Sequence, residues 1–166
     1  KDIRNAVEAA HAARSWSKTT AHLRGQILYY IAENLSARRE EFAERIALMN
    51  SENKKAAMRE VEQSIDRLFT YAAWADKYDG AAHGVPISGM ALAMHEPVGI
   101  IGMFCSDRSP LLGLISILAP AIAMGNTCVI VPSQAYPLSA TDLYQVLETS
   151  DLPAGVVNIV TACLLY

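Results

Sequence analysis

At 166 residues and a formal net charge of −3, the chain suits one domain or one part of a larger one, able to bury roughly 70% of its unfolded surface. It has no basic surplus and no polybasic cluster, which argues against nucleic acid and a membrane surface as partners. The longest apolar run, 111–124, falls short of the ~20 residues of a transmembrane helix and is interrupted by Pro120. It reads as a buried helix covering a sheet.

The opening stretch, Lys1 to Trp16, is amphipathic rather than a charged segment leading into an apolar one, so it is not a signal peptide. Ile3, Val7, Ala10 and Arg14 trace a first helix, with Trp16 anchoring its end. Thr19-Thr20 offers a cap for a second, whose inner face is Leu23, Ile27, Ile31 and Leu35. Ser36 is placed to cap a third, with Phe42, Ile46 and Met49 inward and Arg38, Arg39, Glu40, Glu41 and Glu44 in water. A fourth, longer helix begins near Ser51 or Asn53 and carries Met58, Val61, Ile65, Leu68 and Ala72 along one side. Amphipathic helices of this kind need a larger body to cover them. Asp79-Gly80 and His83-Gly84 end the helical half, and the alternation Met90, Leu92, Met94 reads as an exposed or edge strand.

From Glu96 the pattern becomes strand, helix, strand, helix, strand. Val98–Phe104 is a short apolar run expected to be buried, and Ser109-Pro110 supplies an N-cap residue and a proline suited to a first helical turn. Leu111, Leu112, Ile115, Leu118, Ala119 and Ile122 follow at helical spacing, and Gly125-Asn126 is a stop. Thr127–Val131 is β-branched and unbroken, as a strand buried on both faces should be. Pro137 opens another helix, Leu152-Pro153-Ala154-Gly155 turns, and Val156–Thr161 is a third buried strand. Two successive strand-helix-strand units demand a parallel sheet with right-handed crossovers. Ligands of such sheets sit at the carboxyl ends of the strands, which points to Cys105–Ser109 and Pro132–Tyr136.

Individual motifs say less. Gly99-Ile100-Ile101-Gly102 lies within a strand rather than after one, so it is better read as small residues allowing close packing than as a dinucleotide fingerprint. Cys105, Cys128 and Cys163 form no CxxC pair, and a sparse odd count fits reduced thiols in the cytoplasm. Cys105 stands at a strand end, where a nucleophile could sit, but no partner motif supports it. His11, His22, His83 and His95 are scattered with no metal-ligand spacing, and Ser106 has no elbow sequence around it.

Taken together, the stretch EPVGIIGMF, PLLGLISILAPAIAMG, NTCVIVPSQAYPLSA and DLPAGVVNIVTA resembles the aldehyde dehydrogenase superfamily. Its members read approximately EPVGVIGxIxPWNFPLL, APALAAGNTVVxKPAExTPLSA and GLPxGVxNxVTG. The resemblance implies an α/β fold: N-terminal helices, here residues 1–84, packed on the parallel Rossmann-like sheet of residues 85–166 as one continuous unit. It also implies NAD or NADP as cofactor and oxidation of aldehydes to acids through a cysteine thioester.

Departures from the family pattern shape the functional expectation. By this alignment Phe104, Cys105, Ser106 and Asp107 lie along the cofactor path, and Arg108 takes the place of the Asn whose amide holds the developing oxyanion. Loss of one such oriented donor costs ~10²–10³ in rate. Val131, Pro132, Ser133 and Gln134 stand where the family has KPAE, whose Lys and Glu grip the adenosine ribose or its phosphate. Cofactor binding is therefore expected to be weak or absent. The family's later glycine-rich turn, general-base Glu and nucleophilic Cys have no counterpart, and Cys163 follows the third strand in a different context. The sequence is accordingly expected to be a fragment or to have an altered terminus. The pattern most resembles the degenerate second module of the two-module aldehyde dehydrogenase family 16, supported by the opening DIRNAVEAA and by ILYYIAENLSAR. That leaves two readings. One is a dehydrogenase module inactive by itself. The other is a non-catalytic assembly module partnering a catalytic unit or a second copy.

Overall fold

In the computed structural model, which describes residues 1–51 and 53–161, the first half is helical: α1 (Asp2–Ala12), a 3-10 turn (Arg14–Lys18), α2 (Ala21–Ala37), α3 (Arg39–Asn50) and α4 (Lys54–Trp74). Thr20 caps α2 by accepting from the Leu23 amide, and Asn53 caps α4 by accepting from the Ala56 amide at 2.8 Å. Ser36 is no cap. It lies inside α2, and Arg38 makes the junction with α3 while its guanidinium grips Glu41 through two hydrogen bonds of 2.9 and 2.7 Å. Ile27, Ile31, Leu35, Phe42, Ile46, Val61, Ile65, Leu68 and Ala72 are buried as the spacing required, whereas Leu23 is exposed.

The first helix turns a different face inward than expected. Ile3 and Val7 are exposed, and Ala6 and Ala10 are buried against Val129 of the sheet. The helix also runs close to the turn before β5. A Cβ on Gly155, whose φ is +85°, would lie 2.7 Å from the Ala9 carbonyl oxygen, so α1 lies too near the chain for large side chains there.

A two-stranded antiparallel hairpin follows, β1 (Ala81–Gly84) with β2 (Met90–Ala93), in the register Ala81↔Ala93 to Gly84↔Met90. Residues 81–84 were expected only to end the helical half. The sequence Ala-Ala-His-Gly has no β-branched residue, and pairing with β2 supplies the strand geometry that propensity did not. Met90, Leu92 and Met94 stand exposed, in keeping with an edge strand.

The main sheet is parallel, with β3 (Ile100–Phe104), β4 (Thr127–Val131) and β5 (Val157–Ile159) in the order β3-β4-β5. Between them run α5 (Pro110–Ala123) and α6 (Leu138–Glu148). The central strand β4 is buried as expected. The first strand is not: Val98 is 88% and Phe104 83% exposed, and Met103 is the buried residue of β3. Being an edge strand, β3 lacks cover on one side among the described residues. That also corrects the packing reading of the Gly99–Gly102 pair. A Cβ on either glycine would meet nothing within 4 Å, and Gly99 is needed instead for its φ of +120°.

The buried helix α5 is held at both ends by the helical half. Ser109 does not cap it: this residue has φ 49° and makes no side-chain cap bond. Glu60 of α4 reaches across instead, its Oε1 accepting from the amides of Leu111 at 2.9 Å and Leu112 at 3.1 Å. At the other end Arg24 of α2 donates through Nε to the Ala123 carbonyl at 2.7 Å, and Trp16 Nε1 donates to the Ile122 carbonyl at 3.0 Å. A carboxylate at the amino end and a guanidinium at the carboxyl end both suit the helix dipole.

Candidate functional site

Parallel pairing sets the ends of β3 and β4 side by side, Phe104 opposite Val131, and the Cys105 amide continues the ladder by donating to the Val131 carbonyl at 3.0 Å. The loops that leave the two strands, 105–109 and 132–136, therefore start from adjacent points. They are tied together. Ser133, buried, donates its hydroxyl to Asp107 Oδ1 at 2.6 Å and accepts from the Tyr136 amide at 2.9 Å. Within the first loop the Arg108 amide donates to Ser106 Oγ at 3.1 Å, which turns the chain toward α5.

The residues singled out from the sequence thus lie side by side at the ends of β3 and β4. Phe104, Ser106, Asp107, Arg108 and Gln134 are exposed, Cys105 and Val131 are half-buried, and Pro132 and Ser133 are buried. A ligand lying over the strand ends would meet an apolar floor from Val131, a carboxylate from Asp107, an amide from Gln134 and a guanidinium from Arg108. It would not find a free amino terminus on α5. Pro110 has no amide hydrogen, Glu60 takes the amides of Leu111 and Leu112, and the Ser109 carbonyl takes that of Gly113 at 2.7 Å.

Burial raises the Cys105 thiol to about 11 and the Cys128 thiol to about 12. Since the thiolate is the nucleophile, Cys105 is overwhelmingly protonated near neutral pH and is no activated nucleophile. Cys163 lies outside the described residues.

Sequence reading missed three things. Glu60 drew no notice, because nothing local announces a carboxylate that caps a helix 51 residues away. His11 and His95 were read as unrelated, yet they line one groove of about 700 Å³ beside Arg14 and Glu96. Among the described residues no three His, Cys, Asp or Glu side chains come together as a metal site. A larger cleft, about 1050 Å³, runs along α4 and α5, where Asp66, Arg67, Tyr71, Trp74 and Tyr78 face Leu112.

Parallel strands alternating with helices make this a Rossmann-like α/β unit with helices in front of it. A model of the aldehyde dehydrogenase family matches residues 1–163, and the chain belongs to that family. It is 34% identical to an aldehyde dehydrogenase of Agaricus bisporus over 164 residues, covering 96% of this chain and 33% of that protein. It is 36% identical to a hydroxyisobutyraldehyde dehydrogenase of Mycolicibacterium austroafricanum over 162 residues, covering 96% of this chain and 32% of the relative. The fold matches betaine aldehyde dehydrogenase of Staphylococcus aureus, solved in complex with NAD+, with a TM-score of 0.94 and 27% identity, over 98% of this chain and 33% of that one. The chain thus spans about a third of the length of the relatives it matches. No described helix is long and apolar enough to cross a membrane.

Proposed function

We propose that the chain is an aldehyde dehydrogenase-like module of an oxidoreductase that oxidises aldehydes to carboxylic acids with NAD(P)+, acting in the cytoplasm. Its helical part, 1–84, and its sheet part, 85–166, serve as one unit. The observation that carries this reading is the tied pair of loops at the ends of β3 and β4, in a chain whose fold matches a dehydrogenase solved with NAD+.

The two loops at the strand ends would receive the nucleoside end of such a cofactor. When bound, the cofactor supplies the hydride acceptor. The chain's own residues would meet the ribose with Val131 and with Gln134 as a neutral partner, and Asp107 would add negative charge near the pyrophosphate path. Binding is weak because Val131 cannot donate to a hydroxyl, Gln134 carries no charge, and Glu60 occupies the nearby helix end. Arg108 stands at the oxyanion position, longer and differently aimed than the family Asn. The chain by itself lacks the family's nucleophile and general base, so the purified 166-residue protein is expected to form no NAD(P)H from any of several aldehydes. Turnover that vanishes on mutating Cys105 or Cys163 would overturn this reading of both thiols.

A second reading, a non-catalytic module that assembles with a catalytic aldehyde dehydrogenase unit or with a copy of itself, is favoured by the edge of β3, which is unpaired on one side among the described residues. There Val98 and Phe104 stand exposed, and the hairpin adds Met90, Leu92 and Met94. Unpaired strand edges with apolar side chains invite association. This is also where a likeness to the degenerate second module of the two-module family 16 would express itself. Light scattering at micromolar concentration is expected to give a mass above that of one chain. A monodisperse monomer that binds no hydrophobic dye would rule this reading out.

A further inference from the structure

We propose that the groove at the amino ends of β3 and β4 binds a small phosphate monoester. Gly99, Ile100 and Thr127 line it, so it lies at the opposite end of the sheet from the 105–109 and 132–136 loops. It owes nothing to the nucleotide reading. Its volume is about 700 Å³, and three nitrogen-bearing side chains reach it: His11 from the end of α1, Arg14 from the 3-10 turn and His95 from the segment before β3. Arg14 is exposed and has no ion-pair partner among the described residues. A guanidinium donates in pairs to phosphate oxygens, and each imidazole adds an N–H donor. Two histidines beside Glu96 could suggest a metal, but among the described residues no three such side chains come together as a metal site. Glu96 is the acid among the lining residues. It repels a phosphate and accepts from hydroxyl groups, so a hydroxyl-bearing ester suits the groove better than the free ion.

The donors are held in place by packing beneath them. Trp16, buried two residues after Arg14, donates to the Ile122 carbonyl at 3.0 Å and anchors the turn on α5. Ser17 Oγ donates to the Arg14 carbonyl at 2.8 Å, which closes the turn. Gly125, with φ +84°, lies under both sides of the groove. A Cβ there would come within 3.1 Å of Pro97 Cγ and 3.4 Å of Ser17 Cα, so the turn and the segment before β3 meet across it. That segment is fixed in turn at Gly99. The Gly99 amide donates to Asn126 Oδ1 and its carbonyl accepts from the Thr127 amide, both at 3.0 Å. His95 rests against the Tyr78 ring, with centroids 4.4 Å apart. The cationic side chains therefore come from three separate elements gathered around one groove, not from one solvated helix face.

Amide NMR titration of the 166-residue chain with glycerol 3-phosphate and with inorganic phosphate, at fixed pH and ionic strength, tests this. Saturable shifts are expected at Ser17, Gly99 and Gly125, with glycerol 3-phosphate the tighter of the two. Arg14→Gln should weaken both ligands by about three- to tenfold, the range of an exposed charge-assisted contact. His95→Gln should weaken both as well. Glu96→Gln should tighten inorganic phosphate and remove the advantage of the ester. All three residues are exposed, so the variants are expected to keep the fold, and unchanged shifts away from the groove would verify it. Shifts that fail to saturate at millimolar ligand, or that chloride reproduces, overturn the proposal. So does an affinity that Arg14→Gln leaves unaltered, or a response confined to the 105–109 and 132–136 loops. An ester that binds no more tightly than inorganic phosphate overturns the assignment of the ligand as a monoester.

Discussion

Val131→Lys combined with Gln134→Glu is expected to strengthen NAD+ binding by about ten- to a hundredfold per restored charged hydrogen bond. Both positions lie at or just after the end of β4. Val131 ends β4 half-buried, so a lysine stem can stay partly covered there while its ammonium reaches water. Gln134 is exposed on the loop that Ser133 braces, and glutamate keeps its shape while gaining charge. Titration calorimetry of the chain and the double variant would measure the change. Tight binding by the unaltered chain, unimproved by the substitutions, would mean that the ribose is gripped by residues other than these two.

Loss of the Glu60 carboxylate should be the most damaging polar change to the fold. Glu60→Ala leaves the Leu111 and Leu112 amides without their acceptor at the start of a buried helix, at a cost of about 1–3 kcal/mol for each buried unpaired group. Glu60→Gln retains an acceptor oxygen and forfeits the charge, so it should cost about 1 kcal/mol. Urea denaturation of the two variants would separate them. A Glu60→Ala protein as stable as the unaltered chain would show that water or another side chain caps α5 equally well.

How far the sequence disclosed this molecule depended on the range of each interaction. Unbroken β-branched Thr127–Val131 and the helical spacing from Leu111 to Ile122 need only their own neighbours to be recognised, and both elements stand as read. The inward face of α1 could not be read that way. Hydrophobicity favoured Ile3 and Val7, but the helix sets Ala6 and Ala10 against Val129. The β3 strand failed for a related reason, since an apolar run reveals a preference for burial but not whether anything covers it. At the site, the positions of Asp107 and Ser133 followed from topology. Their hydrogen bond did not, because it joins loops 26 residues apart. Glu60 and Arg24 carried no local signal of their distant targets.

The capping of α5 also bears on the order in which the chain folds. Its amino end waits on a residue 51 positions earlier, and its carboxyl end on residues 99 and 106 positions earlier. During synthesis, α2 and α4 emerge first, with Arg24 and Glu60 still hydrated. Those charges keep the nascent helices soluble and discourage early collapse onto the wrong partner. When α5 emerges, each exchanges water for a helix terminus, so docking is rewarded at both ends only in the correct direction and register. A helix inserted backwards would bring Glu60 to carbonyl oxygens and Arg24 to amide hydrogens, where like partial charges repel. The most apolar segment of the chain is thus oriented by two of the charged residues it buries, and non-local contacts of this kind make folding slower but less degenerate.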